Sequence, residues 1–178
     1  MGRCCCDSGD TGKVKKMGAA KACCESLPPT RGTFSICPEC AGPGKKVLRV
    51  TLEALVKSGK RSEIPIKKDE FYFCKSEACS VVYFASNCVL FRKEDLSVPV
   101  GIKEPQSPAA PVCYCFGWTR GKIEEEIKRT GKSSALEQIK TQIKAGRCSC
   151  ATANPQGSCC LGDAGKVIEE ITGRIMKS

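Results

Sequence analysis

The residues most capable of chemistry in this chain are cysteines, which number 16 among 178 residues and fall in tight groups. The sequence contains no histidine, so a soft metal must be held by thiolates, assisted at most by carboxylates. The same absence excludes a Cys-His or Ser-His catalytic pair and the histidine ligands of a Rieske centre. Cysteine groups indicate disulfides in secreted proteins and metal sites in reducing compartments. We interpret these groups as metal ligands.

Two of the groups form a pattern typical of a closed zinc site. Cys37 and Cys40 are separated by two residues and Cys74 and Cys79 by four, with thirty-three residues between the two pairs. Four thiolates satisfy the tetrahedral coordination of structural zinc. A unit of about sixty-five residues around these four cysteines cannot be stabilised by hydrophobic burial alone. Zinc binding would supply the missing folding free energy. The spacing therefore predicts a Cys4 zinc site.

A second pattern starts at Cys113-x-Cys115 and ends at Cys148-x-Cys150 and Cys159-Cys160. The run between them lacks cysteine, is rich in Lys, Glu, Ile and Leu, and predicts two amphipathic helices. Cysteine groups at the ends of a helical hairpin suggest a [2Fe–2S] cluster, because each iron needs two protein sulfurs. The pattern resembles the BFD-like [2Fe–2S] fold. Spacing alone does not decide which cysteine of the last two groups binds iron.

A third set of cysteines lies near the N-terminus, in residues 1–35, and consists of Cys4, Cys5, Cys6, Cys23 and Cys24. The segment is rich in Gly and Lys and contains two prolines, so we predict that it is flexible. Its thiols are soft ligands suited to Cu(I). The alternative is a tail whose thiols bind nothing.

The elements that must position the zinc ligands are short strands. Residues 45–51 alternate as a strand would, and residues 52–57 predict a short helix. Aromatic runs on either side of the second cysteine pair predict two strands, and residues 89–92 a third. Cys88 has no partner by spacing and is predicted to be a small core residue.

The elements of the second cysteine pattern are helices with local end signals. Thr119 is the expected N-cap of a helix that continues through Arg129, and Gly131 is expected to end it. Ser134 and Glu137 form the sequence of a capping box for the next helix. Residues 154–157, Asn-Pro-Gln-Gly, predict a turn. A third helix is predicted from about residue 163.

These patterns predict an α+β protein, in which a small zinc-knuckle sheet unit packs against a helical [2Fe–2S] unit. The predicted divisions are a flexible Cys-rich segment (1–35), a Cys4 zinc unit (36–102), a linker (103–112) and the cluster domain (113–178). The linker contains three prolines, which predicts an extended, semi-rigid connection.

Composition narrows the classes of partner. The formal net charge is +10 with cysteines counted as neutral, and two tetrathiolate centres, each of net charge −2, lower it to +6. The remaining Lys and Arg are interspersed with Glu and form no stripe, which argues against nucleic-acid binding. No segment is long and apolar enough for membrane insertion, and the N-terminus lacks the apolar core of a secretory signal. We expect a soluble, cytoplasmic protein.

Residues 37–163 resemble the N-terminal part of archaeal copper chaperones of the CopZ type. The matching motifs are Cys37-Pro-Glu-Cys40, Phe71-Tyr-Phe-Cys74, Cys79-Ser-Val-Val-Tyr-Phe84, Val100-Gly-Ile-Lys-Glu104, Pro111-Val-Cys113-Tyr-Cys115 and Asn154-Pro-x-Gly157-x-Cys159-Cys160. The resemblance implies that zinc is bound by Cys37, Cys40, Cys74 and Cys79. It implies that a [2Fe–2S] cluster is bound by Cys113, Cys115, Cys150 and Cys160.

The resemblance also implies a function, which is one-electron transfer in the handling of a soft metal, above all copper. In that family this part of the protein is proposed to reduce Cu(II) and to work beside a ferredoxin-like domain whose Gly-Met-x-Cys-x-x-Cys loop binds Cu(I). The 178 residues contain no such loop. Copper would then be held by the N-terminal cysteines or by a separate chaperone, and would pass to a copper ATPase. The electron donor is not identified by the sequence.

Two other functions remain open at the level of the sequence. The first is a redox or metal sensor, or a scaffold, that uses the cluster to control binding of a partner protein. The second is a metal-ion reductase acting on Cu(II) or Hg(II). Turnover with an electron donor separates the reductase from an electron carrier or a chaperone-like protein.

Overall fold

The structure is a computed structural model that describes residues 36–65, 70–85 and 87–177. The N-terminal cysteines predicted to bind Cu(I) lie outside the described residues: Cys4, Cys5, Cys6, Cys23 and Cys24. The described chain contains an antiparallel sheet followed by helices, which confirms the predicted α+β class.

The first part of the chain, here called the sheet unit, is a four-stranded antiparallel sheet in the order β1-β2-β3-β4. Its elements are β1 (Gly44–Val47), α1 (Arg49–Leu55), β2 (Phe71–Cys74), β3 (Val81–Ala85) and β4 (Leu90–Arg92). Every residue of β3 is buried, because this central strand contributes side chains to two core clusters of the sheet unit. Phe73 and Tyr83 meet edge to face in the core, with ring centroids 6.2 Å apart.

Two predictions in the sheet unit are wrong in detail. The chain turns from strand to helix at Leu48, so the predicted strand through Thr51 is too long. Thr51 and Leu52 are both fully buried while Leu48 and Val50 are exposed, which is the burial pattern of a helix and not of a strand. Cys88 was expected in the core, but it is exposed in the β3–β4 turn with a φ of +65°.

The second part, here called the helical unit, contains a two-stranded sheet and four helices. Its elements are β5 (Pro111–Cys113), β6 (Trp118–Thr119), α2 (Arg120–Thr130), α3 (Ala135–Lys144), α4 (Cys150–Ala153) and α5 (Leu161–Ile175). Cys113 of β5 pairs with Trp118 of β6. Helices α2, α3 and α5 bury Ile123, Ile139 and Ile171 in a shared core. No helix in the described ranges has the length and apolar character needed to span a membrane.

The ends of α2 follow the local sequence signals, whereas the start of α3 does not. The Thr119 hydroxyl accepts a hydrogen bond from the Lys122 N–H at 3.3 Å, and Gly131 ends the helix at a φ of +77°. Ser134 makes no side-chain cap. Instead its hydroxyl and its backbone N–H both donate to the carboxylate of Glu126 on α2, at 2.6 and 3.0 Å. The predicted capping box is replaced by this bond between helices.

The segment 103–112 is folded and not extended. Its backbone makes two successive turns, with the Ser107 N–H bonded to the Glu104 carbonyl and the Ala110 N–H to the Ser107 carbonyl, both at 3.0 Å. The Pro108 carbonyl accepts a hydrogen bond of 2.7 Å from the backbone N–H of Gly121 in α2. The prolines therefore set turn angles, and the prediction of an extended linker is wrong.

The two units pack directly against each other. The buried Tyr83 hydroxyl of β3 donates to the Pro155 carbonyl at 2.9 Å. The Thr51 hydroxyl of α1 donates to the Ala151 carbonyl of α4 at 2.7 Å. A Cβ on Gly157 would lie 3.0 Å from the Thr51 hydroxyl oxygen at a φ of +62°, so a larger residue would strain this close approach. The loop that leads into α5 therefore rests on the sheet unit.

Candidate metal centres

The four predicted zinc ligands converge at one edge of the sheet unit. The Cys37 and Cys79 sulfurs are 3.9 Å apart and the Cys40 and Cys74 sulfurs are 3.6 Å apart. All four sulfurs lie within 4.8 Å of one another. Four sulfurs around a zinc ion with bonds of about 2.3 Å would be about 3.8 Å apart. The sulfurs present therefore fit a tetrahedral zinc ion.

The turn at Cys37 and Cys40 explains how two sulfurs come to point the same way. The Ala41 N–H donates to the Cys37 carbonyl at 2.9 Å, and the Cys37 N–H donates to the Gly42 carbonyl at 2.8 Å. The Gly42 N–H lies 3.4 Å from the Cys40 sulfur. Ala41 adopts a φ of +54°, which closes the turn. The backbone of this turn thus orients the Cys37 and Cys40 side chains toward one point and also donates a hydrogen bond to the Cys40 sulfur.

A second group of sulfurs lies in the helical unit and divides into two sets. One set, here called the sulfur pair, is Cys113 and Cys160, which are both buried in the core of the helical unit. The other, here called the sulfur trio, is Cys115, Cys148 and Cys150, with all three sulfurs within 4.8 Å. The Cys150 sulfur is 3.6 Å from that of Cys115 and 3.2 Å from that of Cys148. The four predicted cluster ligands and Cys148 all belong to, or pack against, one core cluster of the helical unit.

Burial distinguishes the two adjacent cysteines that spacing could not separate. Cys160 is 2% exposed and belongs to the core of the helical unit, whereas Cys159 is exposed. Cys160 is also the residue that precedes α5, so the helix start places it beside Cys113. The exposed Cys159 belongs to neither set.

The turn at residues 154–157 returns the chain from α4 to Cys160. Asn154 is 1% exposed, and its side chain donates to the Ser158 carbonyl at 2.7 Å and accepts from the Gln156 N–H at 3.0 Å. Gly157 has a φ of +62° and donates its N–H to the Asn154 carbonyl at 2.7 Å. The predicted turn is confirmed, and the buried Asn154 side chain stabilises it through two hydrogen bonds to the backbone.

Sequence comparison finds two families along the chain. A family described as a zinc binding domain matches residues 35–97. A family described as a BFD-like [2Fe–2S] binding domain matches residues 111–170. Each match contains one of the two sulfur groups.

The X-ray structure of the Archaeoglobus fulgidus CopZ N-terminal domain is 40% identical in sequence, with a TM-score of 0.61. The alignment covers 74% of this chain and 96% of that domain. The chain belongs to the CopZ N-terminal domain family. The copper chaperone CopZ of A. fulgidus is 44% identical over 124 residues, which is 70% of this chain and 57% of that protein. This CopZ-type chain therefore matches somewhat more than half of the length of that chaperone.

In this CopZ-type chain a lysine that the sequence analysis did not single out contacts the loop between Cys74 and Cys79. Lys103 is only 6% exposed. Its ammonium donates to the Ser76 carbonyl at 2.6 Å and lies 5.7 Å from the centroid of the Phe73 ring. Ser76 lies in the loop between Cys74 and Cys79. The lysine thus brings a positive charge and a hydrogen bond to the loop that joins two of the predicted zinc ligands.

Replacement of Lys103 by methionine is expected to lower zinc affinity by about 10- to 100-fold, the range seen when a residue that orients metal ligands is lost. Competition with a chromophoric zinc chelator measures the change. Lys57→Met is the matched control, because Lys57 also donates to a backbone carbonyl, that of Glu94, at 2.6 Å, but on an exposed surface. Equal affinities for the two variants would contradict the assigned role.

The thiols of the zinc group differ in acidity. Burial raises the pKa of Cys37 to about 12. Burial also acts on Cys40, but the Gly42 N–H and the neighbouring thiols outweigh it and lower the pKa to about 7. Cys40 is therefore ionised more readily than Cys37 in the metal-free chain. Zinc must displace the thiol protons, so its affinity rises with pH.

The cluster group also contains thiols of contrasting acidity. The hydrogen bond with Cys160 lowers the pKa of Cys113 to about 7, although burial opposes this. The same hydrogen bond, together with burial, raises the pKa of Cys160. The Ser149 N–H lies 3.4 Å from the Cys115 sulfur, an additional stabilising contact for a thiolate. The sulfur pair and two members of the trio supply the two sulfurs that each iron of a [2Fe–2S] cluster needs, so the donor set fits that cluster.

Proposed function

We propose that this chain is a zinc and iron–sulfur protein that transfers single electrons in copper handling, reducing Cu(II) to Cu(I) in the cytoplasm. Zinc would be held by Cys37, Cys40, Cys74 and Cys79. The cluster would be held by Cys113, Cys115, Cys150 and Cys160. The observation that carries the proposal is the convergence of the second sulfur group in a chain of the CopZ N-terminal domain family, one relative of which is named a copper chaperone.

The two metal centres would have different tasks. Zinc has no redox chemistry, and three of its four proposed ligands are buried, so we assign it a structural role. A [2Fe–2S] cluster supplies one electron at a time. Cys115 and Cys148 are only partly buried, which leaves one side of the cluster site near the surface. The fold thus shields the sulfur pair and leaves Cys115 and Cys148 as the side of the site that a redox partner would approach.

Copper is a suitable electron acceptor because its two oxidation states prefer different ligands. Cu(II) favours nitrogen and oxygen, and Cu(I) favours sulfur. One electron leaves the reduced protein and converts one Cu(II) ion to Cu(I), and a separate reductant restores the starting state. The product then moves to thiolates, either the N-terminal cysteines of this chain or a separate chaperone that serves a copper ATPase.

The experiment is a single-turnover reduction under anaerobic conditions. Protein reduced with dithionite and then desalted is mixed with Cu(II) in the presence of a Cu(I)-specific chromophore. We expect about one Cu(I) per cluster, since the cluster holds one transferable electron, with return of the oxidised visible spectrum. The oxidised protein is the matched control, because its thiols are the same. Equal Cu(I) formation in both samples would show that thiols reduce the copper and would refute the proposal.

Repeated turnover with a continuous supply of electrons distinguishes the carrier from a reductase. A carrier is expected to stop after one Cu(I) per cluster unless a copper acceptor and an electron donor are both present. Sustained reduction of Cu(II) or Hg(II) that exceeds a protein-free control with the same electron donor, in the absence of a copper acceptor, would favour the reductase.

A further inference from the structure

The helical unit brings together five thiols, one more than a [2Fe–2S] cluster uses. The sulfur pair, Cys113 and Cys160, is buried, 1% and 2% exposed, and provides the two sulfurs for one iron. The trio then offers three sulfurs for the two remaining positions. The surplus is confined to the trio, because Cys159 is exposed and joins neither set.

The surplus thiol is Cys148 or Cys150, because the third member of the trio is fixed separately. Cys115 lies in the turn between β5 and β6, and its sulfur is contacted by the Ser149 N–H at 3.4 Å. Cys148 and Cys150 flank that same serine, and their sulfurs are only 3.2 Å apart. Both sulfurs also lie within 4.8 Å of the Cys115 sulfur. Either of them can therefore form an iron-binding pair with Cys115.

We propose that Cys148 is a reserve cluster ligand, which binds iron in place of Cys150 when Cys150 is absent or displaced. Cys150 is the standing ligand because it is 7% exposed and begins α4, where the backbone is held. Cys148 precedes that helix and is only partly buried, so its side chain has more freedom. The inference rests on the [2Fe–2S] part of the proposed function and not on copper reduction.

The exchange balances without any oxidant or reductant. One iron–sulfur bond to Cys150 breaks and one to Cys148 forms. The proton of the incoming thiol is transferred, through solvent, to the outgoing thiolate. The oxidation states of iron and sulfur do not change, so the cluster keeps its charge and four-thiolate ligation.

The test uses full-length Cys148→Ala, Cys150→Ala and double variants, purified anaerobically. Alanine is chosen because, unlike serine, it offers no oxygen ligand. Measurements are iron and acid-labile sulfide content and the S = 1/2 resonance after dithionite reduction. We expect both single variants to keep the wild-type iron content, with a small shift of g-values in Cys150→Ala only, and the double variant to lose the cluster. Cys160→Ala, which has no reserve in the buried pair, is expected to lose it too.

Zinc content and far-UV circular dichroism establish that each variant is folded. Loss of the cluster from Cys150→Ala to the same extent as from the double variant would overturn the reserve role. Loss from Cys148→Ala with retention in Cys150→Ala would overturn it as well, since Cys148 would then be the standing ligand. Absence of labile sulfide from the unmodified protein would refute the [2Fe–2S] proposal itself, a result distinguishable from both.

Discussion

Replacement of Cys74 by serine is expected to abolish cooperative folding of the sheet unit, and not only zinc binding. Cys74 is fully buried at the end of β2. Zinc binding to a site of this kind contributes about 10–16 kcal/mol, whereas a whole domain is stable by about 5–15 kcal/mol. Loss of one ligand therefore removes free energy comparable to the total stability, and leaves the neighbouring thiols without their metal.

Thermal unfolding followed by circular dichroism, together with zinc analysis, measures this effect. Cys88→Ser is the matched control, because Cys88 is an exposed cysteine of the same sheet unit. That control is expected to bind zinc and to unfold within about 0.5 kcal/mol of the unmodified protein, as is usual for surface substitutions. A cooperative transition in Cys74→Ser at the wild-type temperature would show that hydrophobic burial alone folds the unit.

The same variant is expected to bind the cluster poorly, although every proposed cluster ligand is intact. Tyr83 and Thr51 of the sheet unit hold the carbonyls of Pro155 and Ala151, and these lie in the chain between Cys150 and Cys160. When the sheet unit unfolds, those supports are lost. Iron content of Cys74→Ser protein measured after anaerobic reconstitution tests the dependence, with Cys88→Ser again as control.

Gly101→Ala is expected to produce the largest loss of stability among glycine substitutions in the described residues. A Cβ at this position would lie 1.9 Å from the Pro111 carbonyl oxygen and 3.0 Å from its carbon. The backbone cannot shift easily, because the Gly101 N–H donates to the Tyr114 hydroxyl at 2.9 Å and that hydroxyl donates to the Pro99 carbonyl at 3.1 Å. We expect a loss of more than about 4 kcal/mol, in the exceptional range for one substitution.

Denaturant unfolding of the two glycine variants tests the steric argument. Gly165→Ala is the matched control, since no atom lies within 4 Å of a Cβ built at Gly165 and the residue is inside α5. Alanine in a helix is favoured over glycine by about 0.8–1.0 kcal/mol, so this control is expected to gain stability. Unchanged stability in Gly101→Ala would mean that β5 moves freely away from residues 99–103. Because β5 carries Cys113, cluster binding is expected to fall with stability.

Signals that act within a few residues predicted the structure well. Thr119 caps its helix, Gly131 ends it, and residues 154–157 form the predicted turn. In each case the hydrogen bonds join neighbours in the sequence, so residue type alone carries the information. The zinc-ligand spacing also predicted the convergence of four sulfurs, because each pair sits on one short turn or loop.

Features that depend on distant contacts were missed. Glu126 replaces the expected capping box of α3 because a carboxylate on another helix reaches Ser134. The burial of Lys103 depends on its contact with the loop before β3. Its partner there, Ser76, lies 27 residues earlier in the sequence. The inclusion of Cys148 in the trio depends on how the short α4 is oriented. None of these follows from residue order, since each requires the packed positions of two elements.

The position of Trp118 makes its fluorescence a probe of the helical unit. Trp118 is the one tryptophan in the sequence, and it pairs across the β5–β6 ladder with Cys113. Iron–sulfur clusters absorb in the near ultraviolet, so the proposed cluster, with Cys113 as one ligand, would quench the emission of an indole at this position. Intrinsic fluorescence of the intact protein is therefore expected to fall when the proposed cluster is inserted and to rise when it is lost, without an added dye and without a contribution from tryptophan in the sheet unit.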